Sequence, residues 1–402
     1  MGDQLFPPSI TGKGSRFPPG GSVLDHAFGK SDPYTLGVEE EYMLLDGETF
    51  DLVQHIDTML TAVEGHELEP RINAELMQSV LEIATPVCHT PAEVRGQLAQ
   101  LRGYVGEVAR SHGFRVGSAG THPFSLFERQ RITAKDRYRA LIDQMQYVAR
   151  RELIFGMHVH VAVDDPEKAI QVVNGLLAHL PELVALSSSS PFWRGEPTGL
   201  RSSRHMVFAA FPRSGPPPRF KDYGEYAQVV NQLEKTGCIQ DYTHIWWDIR
   251  LHPRLGTIEI RICDAVTQLD HVTAITAYCQ ALVRLYASMF ERGEEIPSYH
   301  RILTTENKWL AARYGLSAPV MDLHTGKRNR IPVAALVRRT LKALEPHARE
   351  LGSADELAGI HEILKTGTSA DRQLHVFNAN KDIVEVTRDI ADQTEVATQV
   401  TA

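Results

Sequence analysis

Three consecutive carboxylates, Glu39, Glu40 and Glu41, stand inside residues 34–46 (YTLGVEEEYMLLD), a stretch that otherwise alternates like a β-strand. Adjacent acids repel one another and are poor strand formers, so the fold must supply compensation here. A period of two puts Leu36, Val38, Glu40, Tyr42 and Leu44 on one face and Thr35, Gly37, Glu39, Glu41, Met43 and Leu45 on the other. Glu39 and Glu41 therefore point the same way, roughly 7 Å apart at a rise of about 3.3 Å per residue. Two readings stay open from this stretch alone. One is a solvated edge strand whose charges guard against aggregation; the other is a pair of carboxylates aimed at a divalent cation.

Bulk properties narrow the class. At 402 residues, 43% of them hydrophobic, the chain can bury a large core. A net charge of −8 leaves no basic surplus to displace counterions, which argues against nucleic acid as a partner. No apolar run approaches the ~20 residues of a membrane span, and the Pro- and Gly-rich start has no apolar signal segment. Cys88, Cys238, Cys263 and Cys279 show no CxxC spacing and read as reduced thiols. A soluble, cytoplasmic protein without membrane contact is expected.

Residues 1–32 read as a loosely ordered arm, 33–390 as one domain and 391–402 as a polar tail. Within 71–86 (RINAELMQSVLEIATP), Glu75 and Glu82 lie seven apart, and Glu82 interrupts an apolar strand at 80–84. Such an acid is expensive unless a cation or hydrogen bonds satisfy it. Thr90-Pro91-Ala92-Glu93 is a capping box opening a helix that stops at Gly113. A strand at 114–119 and a helix over 136–152 follow. Residues 153–163 (LIFGMHVHVAV) then read as a strand with His158 and His160 on one face. A helix from 165 to about 183 leads into 187–218, dense in Ser, Pro and Gly and carrying Arg201, Arg204 and His205. In 256–264 (GTIEIRICD), Glu259 and Arg261 face away from Ile258, Ile260 and Ile262. Helices are expected over 269–292, 306–314, 332–351 and 355–364. Strands before 264 and helices after it give an α+β fold, its helices packed on one side of an antiparallel sheet. Four strand-like segments place acids, imidazoles or guanidinium on a single face, which implies a sheet with a polar, funnel-like concave side.

No GxxxxGK[ST], GxGxxG or GxSxG motif is present, so Rossmann hydride transfer and serine hydrolysis lack support. The excess of hard oxygen ligands, Glu39, Glu41, Glu75, Glu82 and Glu259 with His158, points to Mg²⁺ or Mn²⁺ rather than zinc, and to two or three ions. Acids of this kind, joined by arginines, suit phosphoryl transfer from ATP.

Taken in order, GVEEEY, the Glu75/Glu82 spacing, GMHVHV, SSRHMVFAAFP, WWDIR and GTIEIRICD resemble the glutamate–cysteine ligase type 2, or YbdK-type carboxylate–amine ligase, family of the glutamine synthetase-like superfamily. The resemblance covers about residues 34–380. It implies an antiparallel sheet funnel that takes ATP at one end and joins a glutamate-like acid to an amine such as cysteine at the other. It also implies Glu39, His158 and Glu259 on one Mg²⁺, Glu41, Glu75 and Glu82 on a second, and a third shared by Glu39 and Glu259. Arg261 would contact the γ-phosphate, His160 the nucleotide, and Arg204 and Arg250 the substrate carboxylates. Arg201 stands where the family pattern has an acidic or small residue, which makes it a candidate specificity residue beside the substrate. A homodimer is expected from the apolar C-terminal helices and the arm. The rival reading is a metal-dependent amide hydrolase using the His158/His160 pair.

Overall fold

The Glu-rich stretch forms β1 (Leu36–Asp46) in a computed structural model that describes residues 24–323, 325 and 329–395. Around it lie β2 (Ile72–Ala74), β3 (Val80–Ala84), β4 (Phe114–Gly117), β5 (Met157–Ala162), β6 (Ile249–His252) and β7 (Thr257–Ile260). The order is β6–β7–β5–β1–β3–β2, with every pair antiparallel. β4 continues the β5 edge along the second half of β1. The strands come before residue 264 as expected, apart from a two-stranded ribbon at Pro319–Met321 and Arg330–Pro332.

One face of the sheet is apolar. Val38, Tyr42, Leu81, Ile83, Val159 and Ile258 join a single core with residues of the helices laid across them. Those helices are α1 (Pro91–Ser111), α2 (Pro166–Leu176) and α3 (Leu269–Glu291). Thr90 caps α1 by accepting from the Glu93 amide at 3.2 Å, which satisfies one of the orphan donors of its first turn. The opposite face is shared. Met43 and Leu45, at the far end of β1, pack into a second cluster with Phe155, Val386 and Ile390. The last two come from the helix α4 (Ile383–Thr394). Only the end bearing Glu39 and Glu41 is left polar.

Several sequence expectations shift. The helix over 136–152 breaks at Gln146, which has φ +50°, into Asp136–Met145 and Tyr147–Arg150. The strand over 153–163 shortens to β5. The stretch Pro166–Ser187 is long and apolar enough to cross a membrane, but it is mostly buried inside the fold, where it serves as core. The boundary at 391 falls within α4, whose Ala391 and Thr394 are buried. Glu395 beyond it pairs with Arg110 at 2.9 Å and with Arg115. Residues 396–402 of the expected tail lie outside the described residues. Of the N-terminal arm, residues 1–23 lie outside the described residues. Residues 24–32 are held down by Phe28, which is buried, and by the Ala27 amide donating to Pro253 at 2.8 Å.

Candidate active site

Residues that pair across adjacent strands share a face. Glu39 lies opposite His158, Glu41 opposite Glu82, and Glu259 opposite both His160 and Arg250. Five strands thus deliver their polar side chains to one place, and with Glu75 and Arg261 they line a cavity of about 320 Å³. All the sequence-predicted site residues except Arg201 reach it.

One half of the cavity is compensated. Glu39 Oε2 lies 3.0 Å from His158 Nδ1, and its Oε1 lies 3.5 Å from His160 Nε2. His160 Nε2 is also 4.0 Å from Glu259. Burial alone would raise the Glu39 carboxyl, but the His158 hydrogen bond and the nearby His160 imidazole hold it below the usual range. Burial opposes Glu259 as well; there Arg250 and Arg261 win and hold it well down. His158 is pushed down to about 4 by burial and by the Arg261 charge, so it is a neutral imidazole at pH 7. Among the described residues, Glu39, His160 and Glu259 are the group whose ligand atoms all lie within 4.8 Å of one another. The resemblance implies His158 in that set and His160 on the nucleotide; the register sets His158 opposite Glu39 and His160 opposite Glu259.

The other half is less compensated: Glu41 accepts from the Gly156 amide and Glu75 from the Leu76 amide at 3.2 Å. Glu41 and Glu82 face each other across β1 and β3, and Glu75 approaches from the end of β2. Burial, followed by repulsion from Glu75, raises Glu41 to about 7. Burial and then Glu75, Glu39 and Glu41 raise Glu82 well above the ordinary value. Burial likewise raises Glu75, against the pull of Arg137. Three carboxylates displaced upward together mark a place short of positive charge.

The arginines divide by role. Arg250 is committed: Nε and Nη2 donate to Glu259 at 2.8 and 3.1 Å, and Nη1 donates to Thr243 and Ile245 carbonyls at 2.8 and 3.1 Å. All three of its guanidinium nitrogens are engaged in these bonds. Arg261 also donates to Glu259, but its buried Nε has no partner. Arg204 makes only long bonds, 3.3 and 3.4 Å, to the Ile262 and Arg261 carbonyls, and its Nε is unpartnered. It stands where the acidic cavity meets a neighbouring one of about 520 Å³. Arg201 lines neither cavity. Its Nε lies 3.2 Å from Asp371 in a part-exposed ion pair.

Two residues escaped the sequence reading. Asp264 is fully buried and accepts from Ser190 Oγ at 2.7 Å, Ser202 Oγ at 2.8 Å and the Ser189 amide at 3.1 Å. It fastens the segment carrying Arg204 to the end of β7, and the run of four serines at 187–190 was its signal in the sequence. Glu152, expected on a helix, instead lines the acidic cavity.

A model of glutamate–cysteine ligase family 2 (GCS2) matches residues 35–392. A relative from Rubrobacter xylanophilus, provisionally named glutamate–cysteine ligase 2-1, is 43% identical over 366 residues, covering 90% of this chain and 96% of its own. One from Sorangium cellulosum, provisionally named glutamate–cysteine ligase 2, is 43% identical over 364 residues with the same coverage. In three dimensions the fold is similar to a glutamate–cysteine ligase from Francisella tularensis solved with AMP, at a TM-score of 0.65, 14% identity and coverage of 90% and 89%. A bifunctional glutathione synthetase from Pasteurella multocida gives the same score and identity, with 52% of that chain covered. The family match over nearly the whole chain agrees with the motif order and with the antiparallel sheet, and the chain belongs to glutamate–cysteine ligase family 2.

Proposed function

We propose that the protein is an ATP-dependent carboxylate–amine ligase that joins a glutamate-like acid to an amine such as cysteine by way of an acyl phosphate. The observation that carries this reading is the division of one buried cavity into a neutralised half and a half short of positive charge. The donor set fits divalent cations. His160 Nε2 is a buried ligand atom without a hydrogen-bond partner, between Glu39 and Glu259, and Glu41, Glu75 and Glu82 crowd together with raised carboxyls. Glu39, His160 and Glu259 would hold one Mg²⁺ or Mn²⁺ and Glu41, Glu75 and Glu82 another, a third being shared by Glu39 and Glu259. Such ions would neutralise the phosphate oxygens of ATP.

The chain's own groups then act by position and charge. Arg204 holds a carboxylate of the acid, and Arg261 faces the γ-phosphoryl group. A carboxylate oxygen of the acid attacks the γ-phosphorus, and ADP leaves with the bridging oxygen. The amine nitrogen attacks the acyl carbon, phosphate leaves, and the nitrogen gives up a proton to form the amide. Arg250 keeps Glu259 charged and fixed throughout. The amide-hydrolase alternative is not supported, since the family is one of ligases.

The deciding experiment is ADP release from ATP and Mg²⁺ with glutamate, against a panel of amines that includes cysteine. Amine-dependent ADP release with a matching amide is expected. Its absence for every pairing would overturn the ligase reading and call for a zinc assay. We also place the enzyme in the cytoplasm, where ATP and reduced thiols are kept, as a homodimer to be checked by light scattering.

A further inference from the structure

Glu152 lines the acidic cavity, yet nothing in the reaction above uses it. Its residue is only 9% exposed, and neither carboxylate oxygen has a hydrogen-bond partner. A carboxylate kept for structural reasons at such depth is ordinarily hydrogen-bonded. Arg151 and Arg204 are the nearby cations and Glu41 the nearby anion. Arg151, the stronger of the two charges on Glu152, donates through Nη2 to the Val207 carbonyl at 3.0 Å and leaves its own buried Nε without a partner, but it does not line the cavity. Arg204 has spare donors in the same cavity. Burial without a partner pushes the Glu152 carboxyl up to about 8, and an arriving cation would draw it back to its charged form.

We infer that Glu152 and Arg204 are the two poles of a clamp for the α-amino acid donor, Glu152 taking its ammonium and Arg204 its α-carboxylate. This rests on the ligase reading. The ammonium held is the donor's, because the acceptor amine must be neutral to attack the acyl carbon. A donor fixed at both α-groups presents only its side-chain carboxylate for phosphorylation, which sets regiochemistry as well as identity. A diacid lacking the amino group would leave Glu152 buried and unpaired, and a site built this way rejects such an analogue.

The test compares glutamate with glutarate, the same diacid without the amino group, as donors in ADP release by the full-length protein. Wild type is expected to prefer glutamate strongly. In Glu152→Gln, which keeps the shape and removes the charge, the ratio of kcat/KM for glutamate over glutarate is expected to fall by a factor on the order of 10–100, the worth of one charged hydrogen bond. The fall should lie mainly in KM for glutamate, and Glu152→Asp should recover part of it. A ratio unchanged in Glu152→Gln overturns the clamp and leaves the ligase standing. Equal use of both donors by wild type overturns it without any variant, which covers the case of a variant that fails to fold. No ADP release from any donor overturns the ligase reading and the clamp with it.

Discussion

Gly156 has no side chain, and the geometry around Arg204 depends on that. A Cβ at this position would fall 2.5 Å from Arg204 Nη2 and 3.1 Å from His158 Nε2. The nearer obstacle is the end of a flexible side chain, so Gly156→Ala should displace the guanidinium rather than unfold the protein. We expect KM for the acid to rise by about tenfold, equal to roughly 1.4 kcal/mol, with Tm almost unchanged; a large loss of Tm would show that the backbone gives way instead. The two histidines of β5 are separable in the same manner. His160 Nε2 lies between two carboxylates, whereas His158 Nδ1 is engaged by Glu39. The Mg²⁺ concentration needed for half-maximal ADP release should therefore rise more in His160→Ala than in His158→Ala. The reverse ranking would return His158 to the ligand set and make His160 a support.

At the scale of elements, β1 is a strand with two unrelated electrostatic problems on its two faces. Glu40 points into the apolar core, where Arg102 of α1 meets it at 2.5 and 3.0 Å with both side chains fully buried. Arg102 also donates to the Thr267 carbonyl at 2.7 Å and the Val266 carbonyl at 3.1 Å, so one guanidinium ties α1, β1 and the start of α3 together. Removing one partner leaves an uncompensated buried charge, and Arg102→Met should lower stability by about 3–5 kcal/mol, read as a lower denaturation midpoint in urea. A loss below about 1 kcal/mol would show that this ion pair does not hold the three elements together. Alternation made the faces of β1, β5 and β7 legible in the sequence, and with them most of the acidic set. Register was not legible. Whether His158 or His160 meets Glu259 depends on how two strands about 100 residues apart align, and a shift of two residues would keep the face while changing the partner. Arg201 shows the same limit, since nothing near it in the chain announces Asp371. Glu152 was hidden because the break at Gln146 turns an expected helix end toward the cavity.

For the whole molecule, the less compensated half of the cavity predicts a link between pH, stability and divalent cations. Glu41 has a folded-state value of about 7 against an ordinary 4.5, and Glu75 and Glu82 shift the same way. The unfolded chain therefore releases these protons first. The contribution is fully present below about pH 4.5 and is lost as pH rises through about 7. His122 and His158, both buried, and the half-buried His252, each held down to about 4, act in the opposite direction, since their contribution is present above about pH 6.5 and is lost as pH falls through 4. A bare Tm profile would thus mix two slopes. The Mg²⁺-dependent gain does not, because Mg²⁺ binds carboxylates in their charged form. We expect the Tm difference between Mg²⁺ and chelator to be small near pH 5 and to reach several degrees near pH 8, as saturation of a folded-state site requires. Glu41→Gln should flatten that rise while raising Tm in chelator at pH 8, since it removes one of the repelling charges. A gain from Mg²⁺ that is independent of pH, or one that Glu41→Gln leaves intact, would place the cation elsewhere than between Glu41, Glu75 and Glu82.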